Sequence, residues 1–524
     1  RRGRRDIRLS MRIWPWRMAL DKTAPVVKYL VASGKPSHGS LCSLNKTDRG
    51  RHALVISTLD DTVLRQIENV QDAVNETLFE PVIRVGVTGL ARSGKTVFIT
   101  SLVANMLDRG RMPHLAAASE GRIDAAFLQP QPDDTVPRFD FETHLSALTS
   151  DKPHWPESTR SVSELRLSLR VRGSGLLAGL QGPRTVHVDI IDYPGEWLLD
   201  LALLDKSYDE WAQETLNRAA RRPAAEAYMA QVASVVAGAP LDEPQAKSLA
   251  SLFTQYLRTA RDGGYYDCTP GRFLLPGDLE GSPVLTFAPL PVGSGDARGT
   301  LRREMARRYE AYKKEVVRPF FRDHFARIDR QVVLVDALGA IHKGPQSVED
   351  MRAAMTDILS AFRPGRNAFL TQLFAGKKVE KILFAATKAD HLHHSQHAKL
   401  TAIMEALVRD ASDRARFAGA DTHALALAAL RATTEDTVQH DGQTLDVVRG
   451  QLLETGKQAA FYPGDLPSDP AKLLNPAREG AEHWLDADYR VMNFAPSVLS
   501  MRPGDGPPHI RLDKAAQFLL GDRL

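Results

Sequence analysis

The sequence feature that most constrains the fold is the octapeptide GLARSGKT, which runs from Gly89 to Thr96. The segment before it, IRVGVTG, favours a β-strand, and the segment after it, VFITSLVANML, favours a helix. Glycines let the backbone between them curl so that successive N–H groups point inward at an anion, and the positive end of the helix points at the same place. The motif therefore predicts a phosphate-binding loop in an α/β sheet.

Each position of this loop has a predicted role in binding a nucleoside triphosphate. Lys95 is expected to span the β- and γ-phosphates and to act in catalysis, and the Thr96 hydroxyl is expected to bind Mg²⁺. The residues predicted to contact the nucleotide here are Gly89, Ala91, Arg92, Ser93, Gly94, Lys95, Thr96 and Val97.

A second motif lies at the end of a predicted pair of strands. SELRLSLRVR and RTVHVDIID alternate like neighbouring strands, and the second of them leads into DYPGE. Asp192 is expected to hold Mg²⁺ through water, and the Gly195 N–H is expected to meet the γ-phosphate. Glu196 falls where Ras-like proteins keep the residue that orients the attacking water, so it is a predicted catalytic residue.

A third motif predicts how the base is recognised. The strand EKILFAATKAD ends in Thr387, Lys388 and Asp390. Guanine presents N1–H and an exocyclic amine, and the Asp390 carboxylate can accept both. The stem of Lys388 is expected to cover the ring, and Thr387 to tie the loop to the P-loop. A further predicted strand, ALALAALRATTED, leads into residues expected to place a backbone contact on guanine O6, namely Arg431, Ala432 and Thr433. GTP is therefore favoured over ATP, which stays the alternative.

Of the predicted site residues, the switch threonine has the weakest sequence evidence, because no motif identifies it uniquely. In Ras-like folds it lies just before the strand that pairs with the DxxG strand, here SELRLSLRVR. We choose Thr159 over Ser161 and Thr135 as a catalytic and Mg²⁺-binding residue. Arg160 beside it is a candidate arginine finger, although a solvated switch charge is the alternative.

The motifs together resemble the YcjX-like family of Ras-like GTP-binding proteins, which are bacterial and linked to stress responses. The resemblance is carried by GVTGLARSGKTVFITSLVANML, WPESTRSVSELRL, DYPGEWLLDLALL, ATKADHL, LRAT and HIRLDKAAQFLLGDRL, from about residue 57 to the C-terminus. It implies a GTPase core with a helical insertion, a cytoplasmic location and an activity switched by GTP and GDP. It does not identify a physiological target.

The order of motifs predicts the organisation of the chain. We expect an α/β P-loop NTPase fold with a doubly wound, mostly parallel sheet, into which an α-helical domain is inserted. QVVLVDAL is expected to resume the sheet after this insertion, and LRREMARRYEAYKKEVVRPFFRDHF to form a solvated helix interrupted at Pro319. The predicted divisions are a head (1–56), a first core part (57–200), the insertion (201–330), and a second core part with a C-terminal extension (331–524).

The charge of the N-terminal residues and the composition of the chain constrain the predicted structure of the head (1–56) and the predicted cellular location. Residues 1–51 carry 13 Lys or Arg and 3 Asp or Glu. We expect 1–56 to be a basic unstructured head or a mis-assigned start; an arm that binds a membrane surface or nucleic acid through Trp14 and Trp16 is the alternative. Only two cysteines occur, and no apolar run is long enough to span a membrane. We expect a cytoplasmic protein that does not bind nucleic acid specifically. Its protein effector is unidentified, and membrane-associated effectors are among the candidates.

The histidine-rich tract HLHHSQH, from His391 to His397, resembles a metal-binding sequence. No cysteine or carboxylate within the tract completes a set of ligands. We therefore expect a polar, solvated surface at the start of a helix.

Three functions remain open on the sequence. The first is a GTPase whose slow hydrolysis drives a molecular switch. The second is a binding or scaffold module in which nucleotide only fixes a conformation, and the third is an ATPase.

Overall fold

The structure is a computed structural model, and its fold can be described over most of the chain after residue 79. The basic head and the residues that follow it up to position 79 lie outside the described residues. The described ranges are 80–90, 92–157, 161–173, 182–292, 297–360, 379–484, 488–499 and 501–524.

A seven-stranded sheet in the order β2-β3-β4-β1-β5-β6-β7 forms the centre of the described chain. The five strands from β4 to β7 in this order run parallel, while β2 and β3 pair antiparallel at one edge. The strands are β1 (Val82–Gly89), β2 (Ile123–Gln129), β3 (Ser163–Val171), β4 (Arg184–Asp192), β5 (Arg330–Val335), β6 (Lys381–Ala386) and β7 (Asp421–Ala426). The predicted α/β fold is therefore confirmed, including the pairing of β3 with β4, which is antiparallel.

Helices cover both faces of this sheet, because the central strands carry apolar side chains on both sides. One face packs against the helix after the P-loop and against the C-terminal helix. The helices in the first and last parts of the chain are α1 (Lys95–Leu107), α2 (Ala116–Ser119), α3 (Phe141–Thr149), α11 (Ala337–Lys343), α12 (Pro345–Ser360), α13 (His397–Leu407), α14 (Arg409–Phe417), α15 (Ala471–Arg478) and α16 (Leu512–Leu520).

The chain between β4 and β5 is helical. Its helices are α4 (Glu196–Leu199), α5 (Tyr208–Ala219), α6 (Glu226–Ser234), α7 (Glu243–Gly263), α8 (Gly271–Leu274), α9 (Leu301–Tyr312) and α10 (Arg318–Asp323). Their apolar residues belong to the same core as the second face of the sheet, and aromatic rings such as Trp211, Phe253 and Phe287 fill it. We call residues 206–327 the helical segment.

The charged helix predicted for LRREMARRYEAYKKEVVRPFFRDHF differs from its prediction in shape and in burial. A π-helical turn, Lys313–Val317, joins α9 to α10 just before Pro319, so the interruption is a local widening of the helix. Arg302, Arg308 and Lys313 are buried, which contradicts the expected solvated face. These cations are buried because carboxylates and carbonyls accept from them; Arg308, for example, bonds to Glu243 and to the Thr286 carbonyl.

A second, three-stranded sheet follows the last strand of the main sheet. Its strands β8 (Thr434–His440), β9 (Gln443–Gln451) and β10 (Gln458–Phe461) are antiparallel in the order β10-β9-β8. The strand predicted to lead up to Arg431 ends earlier, at Ala426, because Ala428 instead pairs with Ile510 near the C-terminus. Val448 and Phe461 of the small sheet pack with Ala432 and Phe494, so this sheet lies against one predicted base-binding loop.

Candidate nucleotide site

The loop between β1 and α1 has the curled backbone that its sequence predicts. Arg92 and Gly94 adopt left-handed conformations, with φ of 65° and 79°. Ser93 N–H donates to the Leu90 carbonyl at 3.1 Å, which closes the turn before the helix begins at Lys95. Arg92 is exposed, Ser93 and Thr96 are buried, and Val97 is half-buried on α1 against the sheet.

The DYPG segment lies directly against this loop. A Cβ atom added to Gly195 would lie 2.3 Å from the Gly89 carbonyl oxygen, a distance that no side chain tolerates. One added to Gly89 would lie 3.0 Å from Leu334 O and 2.1 Å from Ser93 Oγ. Gly195 is therefore required by its close approach to the Gly89 backbone, which brings together two motifs that are far apart in the sequence, while Gly89 is crowded by its own loop and by β5.

The lysine of the first motif contacts the aspartate of the second. Lys95 Nζ lies 2.6 Å from Asp192 Oδ1 and donates to the Tyr193 carbonyl at 2.9 Å. The Asp192 side chain is almost fully buried and Thr96 is buried beside Lys95 at the start of α1. A carboxylate and a hydroxyl are the kind of oxygen ligands that Mg²⁺ takes together with phosphate oxygens.

Glu196 begins the short helix α4 and is buried. Burial raises the pKa of its carboxyl above the ordinary value, and the positive charges of Lys95 and Arg261 oppose this shift. Arg261 belongs to the last turn of α7, so the helical segment places a positive charge within electrostatic range of the predicted catalytic residue. Nothing in the sequence around Arg261 marked it for this position.

The TKAD loop follows β6 and is held at several points. Lys388 adopts a left-handed conformation, with φ of 60°, and its Nζ lies 2.5 Å from Asp336 Oδ2. Thr387 bonds through its N–H to the Val335 carbonyl at 2.9 Å and through its hydroxyl at 3.3 Å. Thr387 therefore ties the loop to the end of β5, and its predicted tie to the P-loop stays a prediction.

The two predicted base-binding loops lie against each other. The Ala432 N–H donates to Asp390 Oδ2 at 2.9 Å, and the Thr433 hydroxyl donates to the Asp390 carbonyl. Arg431 Nε donates to the Thr433 carbonyl at 3.1 Å, which stiffens the second loop. Asp390 and Ala432 are separated by 42 residues, so this contact is a product of the fold.

Part of the predicted site lies outside the described residues, namely Ala91, Thr159 and the neighbouring Arg160. The chain just before Thr159 is described, and it is anchored at Trp155, whose indole Nε1 donates to the Phe494 carbonyl at 2.8 Å. Trp155 also packs on the cluster that contains Ala432. The predicted switch therefore begins next to a base-binding loop.

The sequence did not predict that the helical segment packs closely against the DYPG segment. Every residue from Ile191 to Asp200 is buried. A Cβ atom added to Gly271 would lie 2.1 Å from the Glu196 carbonyl oxygen, and the guanidinium of Arg272 lies 3.2 Å from the centre of a Trp197 ring. Asp200 accepts from the Gly271 N–H at 2.7 Å and from the Tyr312 hydroxyl at 2.5 Å.

A basic residue that the sequence did not mark also lies near the P-loop. Burial, and then the charge of Arg92, lower the pKa of Lys343 at the end of α11, and Lys388 acts in the same direction. Asp336 opposes this effect. Lys343, Arg92 and Lys388 are thus close enough for their charges to interact, which is an arrangement suited to an anionic ligand.

Known proteins are similar to this chain over most of its length. Residues 83–524 match the model of the YcjX-like family, DUF463. The chain belongs to the YcjX-like family. The "Ras-like GTPase YcjX" of Escherichia coli (strain K12) is 36% identical over 477 residues, which cover 88% of this chain and 100% of that protein. The "Ras-like GTPase YcjX" of Shewanella oneidensis (strain MR-1) is 34% identical over 490 residues, covering 88% and 99% of the two chains.

The match to the YcjX-like family spans both sheets and the helical segment. It therefore includes the P-loop, the DYPG segment and both predicted base-binding loops. Among the described residues of this family member, none of the helices has the length and apolar character needed to cross a membrane.

Proposed function

We propose that this YcjX-like protein binds GTP and GDP with Mg²⁺ and hydrolyses GTP slowly, acting as a switch in a bacterial stress-related process in the cytoplasm. The observation that carries the proposal is that four sequence motifs follow parallel strands of one sheet at its carboxyl edge and contact each other in two pairs. Gly195 lies against Gly89, and Asp390 bonds to Ala432. This edge is where open α/β sheets bind ligands.

The phosphates are bound by the P-loop. The N–H groups of the loop and of the first turn of α1 surround the β-phosphate, and Lys95 turns from Asp192 toward the β- and γ-phosphates. Thr96 and Asp192 would hold Mg²⁺, because a hydroxyl and a carboxylate are oxygen ligands that this ion takes. When bound, Mg²⁺ neutralises charge on the phosphate oxygens as it develops.

The base is recognised by Asp390 and covered by the stem of Lys388. Asp390 has one oxygen bonded to the Ala432 N–H, which fixes the orientation of the carboxylate toward its ligand. The preference for guanine over adenine is supported by the TKxD pattern and by relatives that are named Ras-like GTPases.

The hydrolysis step relies on Glu196, which orients the attacking water as a hydrogen-bond acceptor. An ionised carboxylate cannot donate to the transition state, so turnover is slow, on the order of 10⁻³ per second. Conformational change passes from the γ-phosphate through Gly195 into the helical segment, because that segment covers residues 193–200. An unidentified protein effector then responds to the helical segment.

One observation favours a second candidate, a nucleotide-dependent scaffold with negligible turnover. Glu196 is buried and its carboxyl has a raised pKa, so at a given pH a smaller fraction of it is in the ionised form that accepts from water than for an exposed carboxylate. Nucleotide would then fix a conformation without being consumed.

Phosphate release under multiple turnover separates these functions. We expect the untagged full chain with Mg²⁺ to release phosphate from GTP, faster than from ATP, and Lys95→Ala to release none. Equal rates with ATP would contradict the preference for GTP, and faster release from ATP would identify an ATPase. Tight GTP binding with no release above the Lys95→Ala background would identify the scaffold.

A further inference from the structure

The histidine tract that follows the TKAD loop is completed by carboxylates from the small sheet. His394 Nδ1 lies 2.6 Å from Glu435 Oε2, and His393 Nε2 lies 3.7 Å from the same oxygen. The three ligand atoms of these residues lie within 4.8 Å of one another. The expectation of a plain solvated surface was wrong in another respect too, since His391 and His397 at the ends of the tract are buried.

The fold explains why these groups meet. His393 and His394 lie in the turn between the TKAD loop and α13, while Glu435 lies at the start of β8, two residues after the second base-binding loop. The contact of Asp390 with Ala432 and Thr433 brings the turn and the strand together. The carboxylate is 41 residues away in the sequence, so the tract alone could not reveal it.

The three groups have the chemistry of a site for a transition metal. Two imidazoles and one carboxylate are a known zinc ligand set, with a fourth position left for water. Ligand atoms about 2.0–2.2 Å from a tetrahedral ion are roughly 3.3–3.6 Å apart. The separation between His393 and Glu435 is close to this value, and the exposed His394 can rotate away from its hydrogen bond with Glu435 to reach it.

A second carboxylate is placed to orient His393, the least exposed member of the set. His393 Nδ1, on the far side of the ring from Nε2, lies 3.3 Å from Asp446 Oδ2 and 2.9 Å from the Ser395 hydroxyl. Metal ligation through Nε2 leaves the proton on Nδ1, where Asp446 accepts it. Asp446 and Glu435 lie diagonally across β9 and β8 on the same face, since Thr437 pairs with Asp446 and Glu435 with Val448.

We propose that His393, His394 and Glu435 bind a divalent transition metal of the zinc class, with Asp446 as the positioning residue for His393. The ion joins the turn after Asp390 to the strand after Thr433. It therefore fixes the two base-binding loops relative to each other. Glu435 keeps its other oxygen, Oε1, for Arg431, whose guanidinium lies 3.6 Å away.

The site is tested by titrating zinc chloride alone into the untagged, metal-stripped full chain by calorimetry, with cobalt(II) as a spectroscopic probe. We expect one ion per chain and the visible absorption of four-coordinate cobalt. His394→Ala and Glu435→Gln should each weaken zinc binding by at least about 100-fold, and Asp446→Asn by about 10-fold. His440→Ala is the matched control, since this exposed histidine lies on the same strand and should have no effect.

Each outcome decides the proposal. Because the His394 side chain is 67% exposed, His394→Ala should fold even if a substitution at His393 does not. No zinc binding by the parent chain, or unchanged binding in both His394→Ala and Glu435→Gln, would overturn the site. Equal losses in His440→Ala would place the ion elsewhere and also overturn it.

A further measurement tests whether zinc binding affects nucleotide binding, an effect that rests on the proposed function. With Mg²⁺ in excess, zinc should raise GDP affinity about five-fold or more in the parent chain and leave it unchanged in His394→Ala. Zinc binding needs no nucleotide, so a chain that binds zinc and no GDP would contradict the proposed function alone. A chain that binds GDP and no zinc would contradict this inference alone.

Discussion

The phosphate side and the base side of the candidate site are held in place by different kinds of interaction. On the phosphate side, the DYPG segment is buried, and it contacts the aromatic core of the helical segment through Tyr193 and Trp197. On the base side, the loops are joined by hydrogen bonds and by charged pairs such as Lys388 with Asp336. A movement on the phosphate side must therefore disturb the aromatic core of the helical segment, whereas a movement on the base side must break hydrogen bonds between two buried loops.

This difference implies different consequences of mutation. A close-packed core has discrete arrangements and resists small displacements. Substitutions on the phosphate side should change hydrolysis and its response to pH, and substitutions on the base side should change which nucleotide binds. The four experiments below test this division.

The largest effect is expected from Lys95→Ala. Its amine supplies a positive charge to the β- and γ-phosphates, so its loss should lower affinity for GTP and GDP by at least about 100-fold while the fold stays intact. Nucleotide binding by calorimetry and thermal melting of the free protein measure the two effects. Lys314→Ala is the control because that lysine is exposed. A parallel loss of folding would mean that the P-loop lysine is structural, through its contact with Asp192.

Asp390→Asn tests the base side. The amide offers one acceptor and two donors, so guanine should lose about 2–4 kcal/mol of binding, while xanthine, which has an oxo group in place of the amine, should bind better than guanine. Competition between GDP and xanthosine diphosphate measures this change. Asp441→Asn at an exposed turn is the control. Unchanged GDP affinity would remove Asp390 from base recognition.

Glu196→Gln tests hydrolysis on the phosphate side. Single-turnover phosphate release should be about ten-fold slower or more, with GTP affinity little changed. Burial raises the pKa of Glu196, and the ionised form is the acceptor, so the parent rate should rise with pH through that raised pKa. The glutamine variant should lose this pH dependence. If Glu196→Gln kept the rate and pH profile of the parent, another residue would orient the attacking water. Asp192→Ala is the control, since it should impair Mg²⁺ binding.

The fourth experiment concerns stability rather than nucleotide, at Asp200, which joins the DYPG segment to the helical segment. Burial raises its pKa from 3.8 to about 7, although Tyr312 and Gly271 donate to it. The folded state therefore binds the proton more tightly than the unfolded state, and this contribution to stability is lost as pH rises from about 4 to about 7, by at most about 1.4 kcal/mol per pH unit.

Asp200→Asn should remove this part of the pH dependence, because an amide does not ionise and still offers an oxygen to Gly271. Urea unfolding of parent and variant across this pH range measures the difference. Asp278→Asn, whose side chain is 87% exposed, should follow the parent. Parallel curves for the parent and Asp200→Asn would mean that Asp200 ionises normally.

The sequence by itself determined the type of sheet, its central strands and the loops at their ends. The reason is local: the glycines of GLARSGKT, the apolar runs before Asp192 and Thr387, and the alternation in SELRLSLRVR each lie within a few neighbouring residues. Motif order then predicted that these loops meet, since parallel strands place their carboxyl ends on one edge. The division of the chain into domains and the roles of the site residues remain predictions.

Only the tertiary structure decided what surrounds those loops. The contact of Gly271 with Glu196, the charge of Arg261 near the same residue, and Glu435 beside His394 all join residues that are far apart in the chain. Such contacts depend on packing geometry, which periodicity and motifs do not encode. The charged helix and the histidine tract were misjudged for this reason: burial of a polar residue depends on a partner that the fold supplies.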